Sequence, residues 1–230
     1  MAYRLGSRAV PSLLEMLEDQ TVVGQDCKHV IEALAVLREQ RACDSIVKRF
    51  EDEDTHTTAV AAMVAIGHLP PLIEALSSPN SETRDGALAA IKRMGNPAAI
   101  PALEAAMHDA GVQEREKIVR AFGSIGLEAH THLLVALSDS DKGVQLAALQ
   151  GLTLDRSETL MMKLIGMAEH SDPDVRLAAV DAMQRFSDGR VVAPLANALE
   201  DDDARVARQA RRSLDHLESV VARKGMSSDQ

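Results

Sequence analysis

Apolar pairs four residues apart recur along the chain: Leu13/Leu17, Ile46/Phe50, Leu72/Leu76, Leu103/Met107, Leu133/Leu137, Leu164/Ala168 and Leu195/Leu199. From Leu103 onward the step settles at 30 or 31 residues. Residues four apart share one face of a helix. After each pair comes a small residue directly before a larger apolar one: Ala33-Leu34, Ala62-Met63, Ala90-Ile91, Ala121-Phe122, Gly151-Leu152, Ala182-Met183 and Ser213-Leu214. One turn earlier in each copy stands Val30, Ala59, Ala87, Ile118, Ala148, Ala179 or Ala210. Small side chains at repeated positions let helix axes approach closely. A fixed period of this size predicts stacked copies of one unit, each a helix, a turn and a second helix.

Seven such units follow, over residues 5–38, 39–67, 68–95, 96–126, 127–154, 155–187 and 188–217. They form a single array over 1–217, ahead of a polar C-terminal tail at 218–230. Pro11, Pro70 and Pro101 each precede a first landmark by two residues, where a first-turn proline loses no helical hydrogen bond. Ser78-Pro79-Asn80, Ser138-Asp139-Ser140-Asp141 and Ser171-Asp172-Pro173-Asp174 are placed to cap second helices. Gly67, Gly95 and Gly126 sit where a left-handed C-cap wants glycine. Long β-branched alternation is missing, so no sheet is expected. The predicted class is all-α: an α-solenoid, a right-handed superhelix of about seven helix-turn-helix repeats. With layers about 8–10 Å apart, it would be a curved rod of roughly 60–70 Å.

The stretch Asp172-Pro173-Asp174-Val175-Arg176-Leu177-Ala178-Ala179-Val180 resembles a HEAT repeat. More narrowly, it is similar to the short HEAT-like repeats of phycobilin lyases and of many small scaffold proteins. The landmark columns extend the resemblance over nearly the whole chain. The signature itself is clear in one unit; Glu82-Thr83-Arg84 keeps half of it and Gly143-Val144-Gln145 less. The period is shorter than the roughly 40–47 residues common in HEAT and armadillo units. Tetratricopeptide and ankyrin signatures are missing, and the chain has no Trp. The resemblance implies a noncatalytic interaction scaffold, with a phycobilin-lyase-like enzyme or tetrapyrrole carrier as the alternative.

Composition narrows the function classes. A formal net charge of −10 disfavours nucleic-acid binding, which rests on phosphate neutralisation. Aromatic residues at 2% leave few stacking platforms for bases, and a single Tyr with three Phe gives few aromatic walls for a tetrapyrrole. Cys27 and Cys43, with no secretory signal, suggest reduced thiols in a cytoplasmic protein. No apolar run approaches the roughly 18 residues a membrane span needs, so no membrane partner is expected.

Candidate chemistry is thin. None of the eight histidines is followed by Glu, unlike the His-Glu pairs that hold the di-iron centre of the HEAT-repeat enzyme deoxyhypusine hydroxylase. His130-Thr131-His132 lacks companions at a metal-ligand spacing. Cys27 and His29 lie two apart, so a helix points them away from one another. No catalytic, cofactor-binding or metal-binding residue is therefore assigned. The expected partner is a protein presenting an acidic segment to the second helices. In each second helix the position after the signature Val reads Cys27, His56, Arg84, Arg115, Gln145, Arg176 and Ala207. Arg84, Arg115 and Arg176 would form a basic ladder, with Lys117, Arg120 and Arg185 on the same helices. Arg205, Arg208 and Arg212 share a stripe on the final helix. The competing reading pairs Arg176 with an aspartate of the next turn and makes the last-helix arginines a polar cap. The acidic runs Glu51-Asp52-Glu53-Asp54 and Glu200-Asp201-Asp202-Asp203 read as solvated turns and helix caps. The first unit is the most degraded, with Thr21-Val22-Val23-Gly24-Gln25 in place of an Asp-rich turn.

Overall fold

The periodic apolar positions fold as helices. A computed structural model describes residues 2–227, with side chains from 8 to 220. Among these residues are fourteen α-helices and no strand. They pair as seven helical hairpins. In the first three, α1 (Ala2–Glu18) pairs with α2 (Gly24–Val36), α3 (Cys43–Lys48) with α4 (His56–Ile66), and α5 (Pro70–Ala75) with α6 (Ser81–Met94). The fourth and fifth pair α7 (Ile100–Asp109) with α8 (Val112–Ile125), and α9 (His130–Ala136) with α10 (Lys142–Gly151). The last two pair α11 (Glu158–Met167) with α12 (Pro173–Met183), and α13 (Val192–Asn197) with α14 (Ala204–Ser227). This is an α-solenoid architecture.

The chain divides into two compact units, residues 1–129 and 130–230. The boundary lies between the 3-10 turn Leu127–Ala129 and α9, within the stretch read from sequence as the fifth repeat. In the first unit each first helix packs on its own second helix, and α2, α4, α6 and α8 pack side by side in order. In the second unit α10, α12 and α14 do the same.

Burial follows the columns. Val30, Ala59, Ala87, Ile118, Ala148, Ala179 and Ala210 are all buried. So are the residues that follow six of them: Ile31, Val60, Leu88, Val119, Leu149 and Val180. In the seventh copy that place is taken by Arg211, which is exposed. Among the described residues no further helix covers that place on α14, and a polar side chain there meets solvent. Hairpins two and three approach closely at Gly86. A Cβ built on Gly86 in α6 would lie 2.5 Å from the Phe50 ring, so only glycine fits beneath it.

The predicted caps form. Asn80 Oδ1 accepts from the Glu82 and Thr83 N–H groups, Asp141 from Gly143 and Val144, and Asp172 from Asp174. Gly67 and Gly95 close α4 and α6 in the left-handed region, at φ +75° and +57°. Gly126 has φ +90° but ψ −136°, outside the left-handed helical region expected for it. In the degraded first turn Val23 precedes α2 without a side-chain cap bond.

Two expectations are corrected. Pro11 does not open a helix; it lies inside α1, where its missing N–H interrupts the hydrogen-bond ladder. The tail assigned from 218 is helical as far as Ser227, as a continuation of α14. Residues 228–230 of that tail lie outside the described residues.

Candidate functional site

The fourth residue of each middle second helix sets the geometry of the repeat. From there a donor side chain reaches back to the carbonyls of the turn that follows the preceding helix, which have no helical partner. Arg84 Nη1 donates to the carbonyls of Ser78 at 2.8 Å and Pro79 at 3.1 Å. Gln145 Nε2 donates to Asp139 O at 2.7 Å, and Arg115 Nη1 to Ala110 O at 3.3 Å. Arg176 Nη1 donates to His170 O at 2.9 Å and Ser171 O at 3.0 Å. His56 makes the same contact to Phe50 O at 2.7 Å.

Two of these arginines then tie one hairpin to the next. Arg84 Nε donates to Glu114 Oε1 at 2.8 Å. Arg176 forks onto Asp201, Nε to Oδ2 at 2.7 Å and Nη2 to Oδ1 at 2.8 Å. This bidentate geometry is the strong form of the arginine–carboxylate pair. It is largely shielded, with side chains 17% and 10% exposed. The Arg176 hydrogen bond holds the Asp201 carboxyl below its ordinary range. Arg84, Arg115 and Arg176 are thus turned into the fold and do not make the open basic ladder expected from the sequence. The same position in α14 carries Ala207, which has no donor to offer.

Further out, cations and carboxylates pair across hairpins. Lys117 lies 2.6 Å from Asp85, and Lys142 2.8 Å from Asp172 and 3.3 Å from Asp174. Arg205 bridges Asp174 at 2.9 Å and Asp203 at 2.8 Å, and Asp203 is held at about 2 by that contact. Arg120 pairs within α8 with Glu116 at 2.7 Å. Exposed pairs of this kind contribute little to stability. Arg208 and Arg212 of the predicted stripe, with Arg211 beside them, differ. All three are exposed, and none forms an ion pair with a described residue. Arg208 only donates to Ala204 O of its own helix, at 3.1 Å.

Arg185, expected on the second helix, lies instead in the turn after α12 because the helix is capped at Gln184; it lines a cleft of about 410 Å³ with Arg156, Glu158, Met161, Phe186, Asp188 and Arg190. Its Nη1 donates to Leu152 O at 3.3 Å. Burial, then the charge of Arg156, pushes its pKa down. Sequence reasoning singled out Arg185 but not Arg156 or Arg190. The cleft joins residues about thirty positions apart, and no local motif announces it.

A histidine, an aspartate and a serine also converge. Asp155 accepts from His130 Nε2 at 2.7 Å, and from the Ser157 N–H and hydroxyl at 2.6 and 2.9 Å. Burial pushes its carboxyl up, and these hydrogen bonds together hold it below its ordinary value. The order is wrong for nucleophile activation, which needs the histidine between serine and carboxylate. Here the carboxylate is in the middle, and Ser157 Oγ accepts from the Leu160 N–H as the cap of α11. The cluster fastens the loop before α11 to the start of α9. Cys27 and Cys43 are fully buried free thiols, and burial pushes Cys43 up to about 11. Among the described residues no three His, Cys, Asp or Glu side chains are grouped to hold a metal ion. No helix among them is long and apolar enough to cross a membrane.

Comparison with known proteins bears on the fold. A family model described as HEAT repeats matches residues 53–123 and 130–215, together more than half of the chain. An archaeal HEAT-like repeats protein from Thermococcus onnurineus NA1 is 15% identical, covers 92% of this chain and 97% of its own, and has a TM-score of 0.55. A chain of the Kap95p–RanGDP complex is 13% identical over 92% of this chain and 37% of its own, with a TM-score of 0.52. The CpcE–CpcF complex of phycocyanin lyase from Nostoc sp. PCC7120 is 20% identical over 90% and 92%, with a TM-score of 0.46. At these identities the likeness is one of fold alone. None of the curated proteins compared matches the chain.

Proposed function

The chain belongs to the HEAT-repeat family, and from that premise we propose that it is a noncatalytic interaction scaffold, an adaptor or assembly factor that holds a partner protein. The partner presents an acidic segment, and the receiving stripe is Arg208 and Arg212 on α14, flanked by Arg211. One observation carries this reading. Arg84, Lys117, Lys142, Arg176 and Arg205 on the second helices are engaged by the fold's own carbonyls and carboxylates; Lys92 and Arg93 on α6 are exposed without a carboxylate, and so are Arg208, Arg211 and Arg212, which alone gather three such charges within five residues of one helix. In a chain of formal charge −10, an unpaired basic stripe favours an acidic surface through electrostatic complementarity. The His130–Asp155–Ser157 cluster supports the noncatalytic part, because each group is already committed to capping or loop closure.

Titrating a fluorescent Asp/Glu-rich peptide and following its anisotropy tests the assignment. The wild type should bind with an affinity that falls as salt rises. R208E/R212E should weaken binding by about tenfold or more. Unchanged affinity in that variant would refute the stripe, and no binding by the wild type at low salt would refute the acidic partner.

A further inference from the structure

The cleft beside Arg185 is lined by two guanidinium groups that form no ion pair with a described residue. Arg190 is satisfied, by Asp188 at 2.8 Å and Glu158 at 2.5 Å. Arg185 and Arg156 are not. Arg185 gives one N–H to Leu152 O, and Arg156 uses only Nη1, on the carbonyls of Thr153 and Asp155, both at 2.8 Å. Neither guanidinium forms an ion pair with a carboxylate among the described residues; the nearby acids accept hydrogen bonds from other groups, and Asp181 acts on Arg185 only through space. Asp181 accepts from Gln184 and Gln209, at 3.0 and 2.7 Å. Asp155 is held by His130 and Ser157, and Asp188 and Glu158 by Arg190. Two like charges therefore face one cleft, and Arg185 is partly withdrawn from water. The buried side chains of Met161 and Phe186 line the same cleft. Its volume of about 410 Å³ falls within the roughly 300–1,000 Å³ usual for ligand pockets.

We propose that this cleft seats one carboxylate of the partner's acidic segment, gripped by Arg156 and Arg185 over a floor of Met161 and Phe186. The inference rests on the acidic-partner reading above and gives it a fixed point. The stripe on α14 is solvated and tolerant of register, whereas a guanidinium fork in a cleft demands one carboxylate at one place.

The test uses the full chain and a labelled peptide of alternating Glu and Leu. Adding peptide should move the Arg185 Nε–Hε resonance, and R156Q/R185Q should weaken binding about tenfold. A peptide in which Gln replaces Glu should not bind. Thermal melting by circular dichroism checks that the double variant folds. Should it not fold, R156Q alone, at an exposed position, should lower affinity about threefold. Peptide binding that leaves the Arg185 resonance unmoved and R156Q/R185Q at wild-type affinity overturns the cleft and leaves the scaffold standing. A wild type that binds no acidic peptide overturns both.

Discussion

Arg176 and Arg208 sit on neighbouring second helices and carry the same charge, yet they do opposite work. Arg176 is the fourth residue of α12, close enough to the preceding turn to reach His170 O and to fork onto Asp201. Arg208 is one position further along α14, past Ala207, and finds only a carbonyl of its own helix. A shift of one residue along a helix swings a side chain by about 100°. Whether an arginine is held by the fold or left in solvent is thus decided by its place in the repeat rather than by its chemistry. Arg84 and Arg115, fourth in α6 and α8, follow the inward rule, and Gln145 keeps the reach-back bond without any charge.

The most severe way to break this contrast is to delete each arginine in turn. R176A should cost about 2 kcal/mol of unfolding free energy, since it removes a shielded bidentate pair and strands turn carbonyls. R208A should stay within about 0.5 kcal/mol in the same urea titration. Equal losses would erase the distinction. Acid should expose the same pair. The folded pKa of Asp201 is depressed below the ordinary 3.8, so its contribution is complete above that value and is lost as pH falls through the folded one. Stability of the wild type should therefore drop below about pH 4 more steeply than that of D201N, measured by chemical unfolding at stepped pH. A parallel pair of curves would remove Asp201 from the account.

Gains are smaller than losses. A207R places a donor at the fourth position of α14, six residues after Asp201, and should add about 0.5 kcal/mol by the reach-back bond. No gain in thermal stability would show that the bond needs more than position. The mildest effect is expected at the array's end. R211L restores the apolar residue found in every earlier copy and should barely change stability, while making the protein self-associate in sedimentation velocity. A monomer at all concentrations would mean that Arg211 is not what keeps that face soluble.

The hairpins and their caps were legible because they depend on local spacing. Asn80, Asp141 and Asp172 stand directly before the N–H groups they satisfy. The direction of the arginines was not legible: a guanidinium at the fourth helical position can point to solvent or back to the turn. The carbonyls that capture Arg84 and Arg176 carry no sequence signal of their own. Pro11 was misplaced because the rule for first-turn proline needs a known helix start, and α1 begins well before it. The His130–Asp155 contact joins separate repeats and the Arg156–Arg185 cleft joins the two ends of one, so periodicity alone could not find them.

The Phe50 ring resting on Gly86 ties the second hairpin to the third. The places matching Gly86 in the other copies hold His29, Thr58, Lys117, Ala147, Ala178 and Gln209, each with at least the one carbon for which there is no room. None of those hairpins, moved as a block into third place, would seat beneath the ring. The copies look like beads of one pattern, but the second and third are a lock and its key. A protein engineer who shuffles, deletes or duplicates modules of this chain must move those two together.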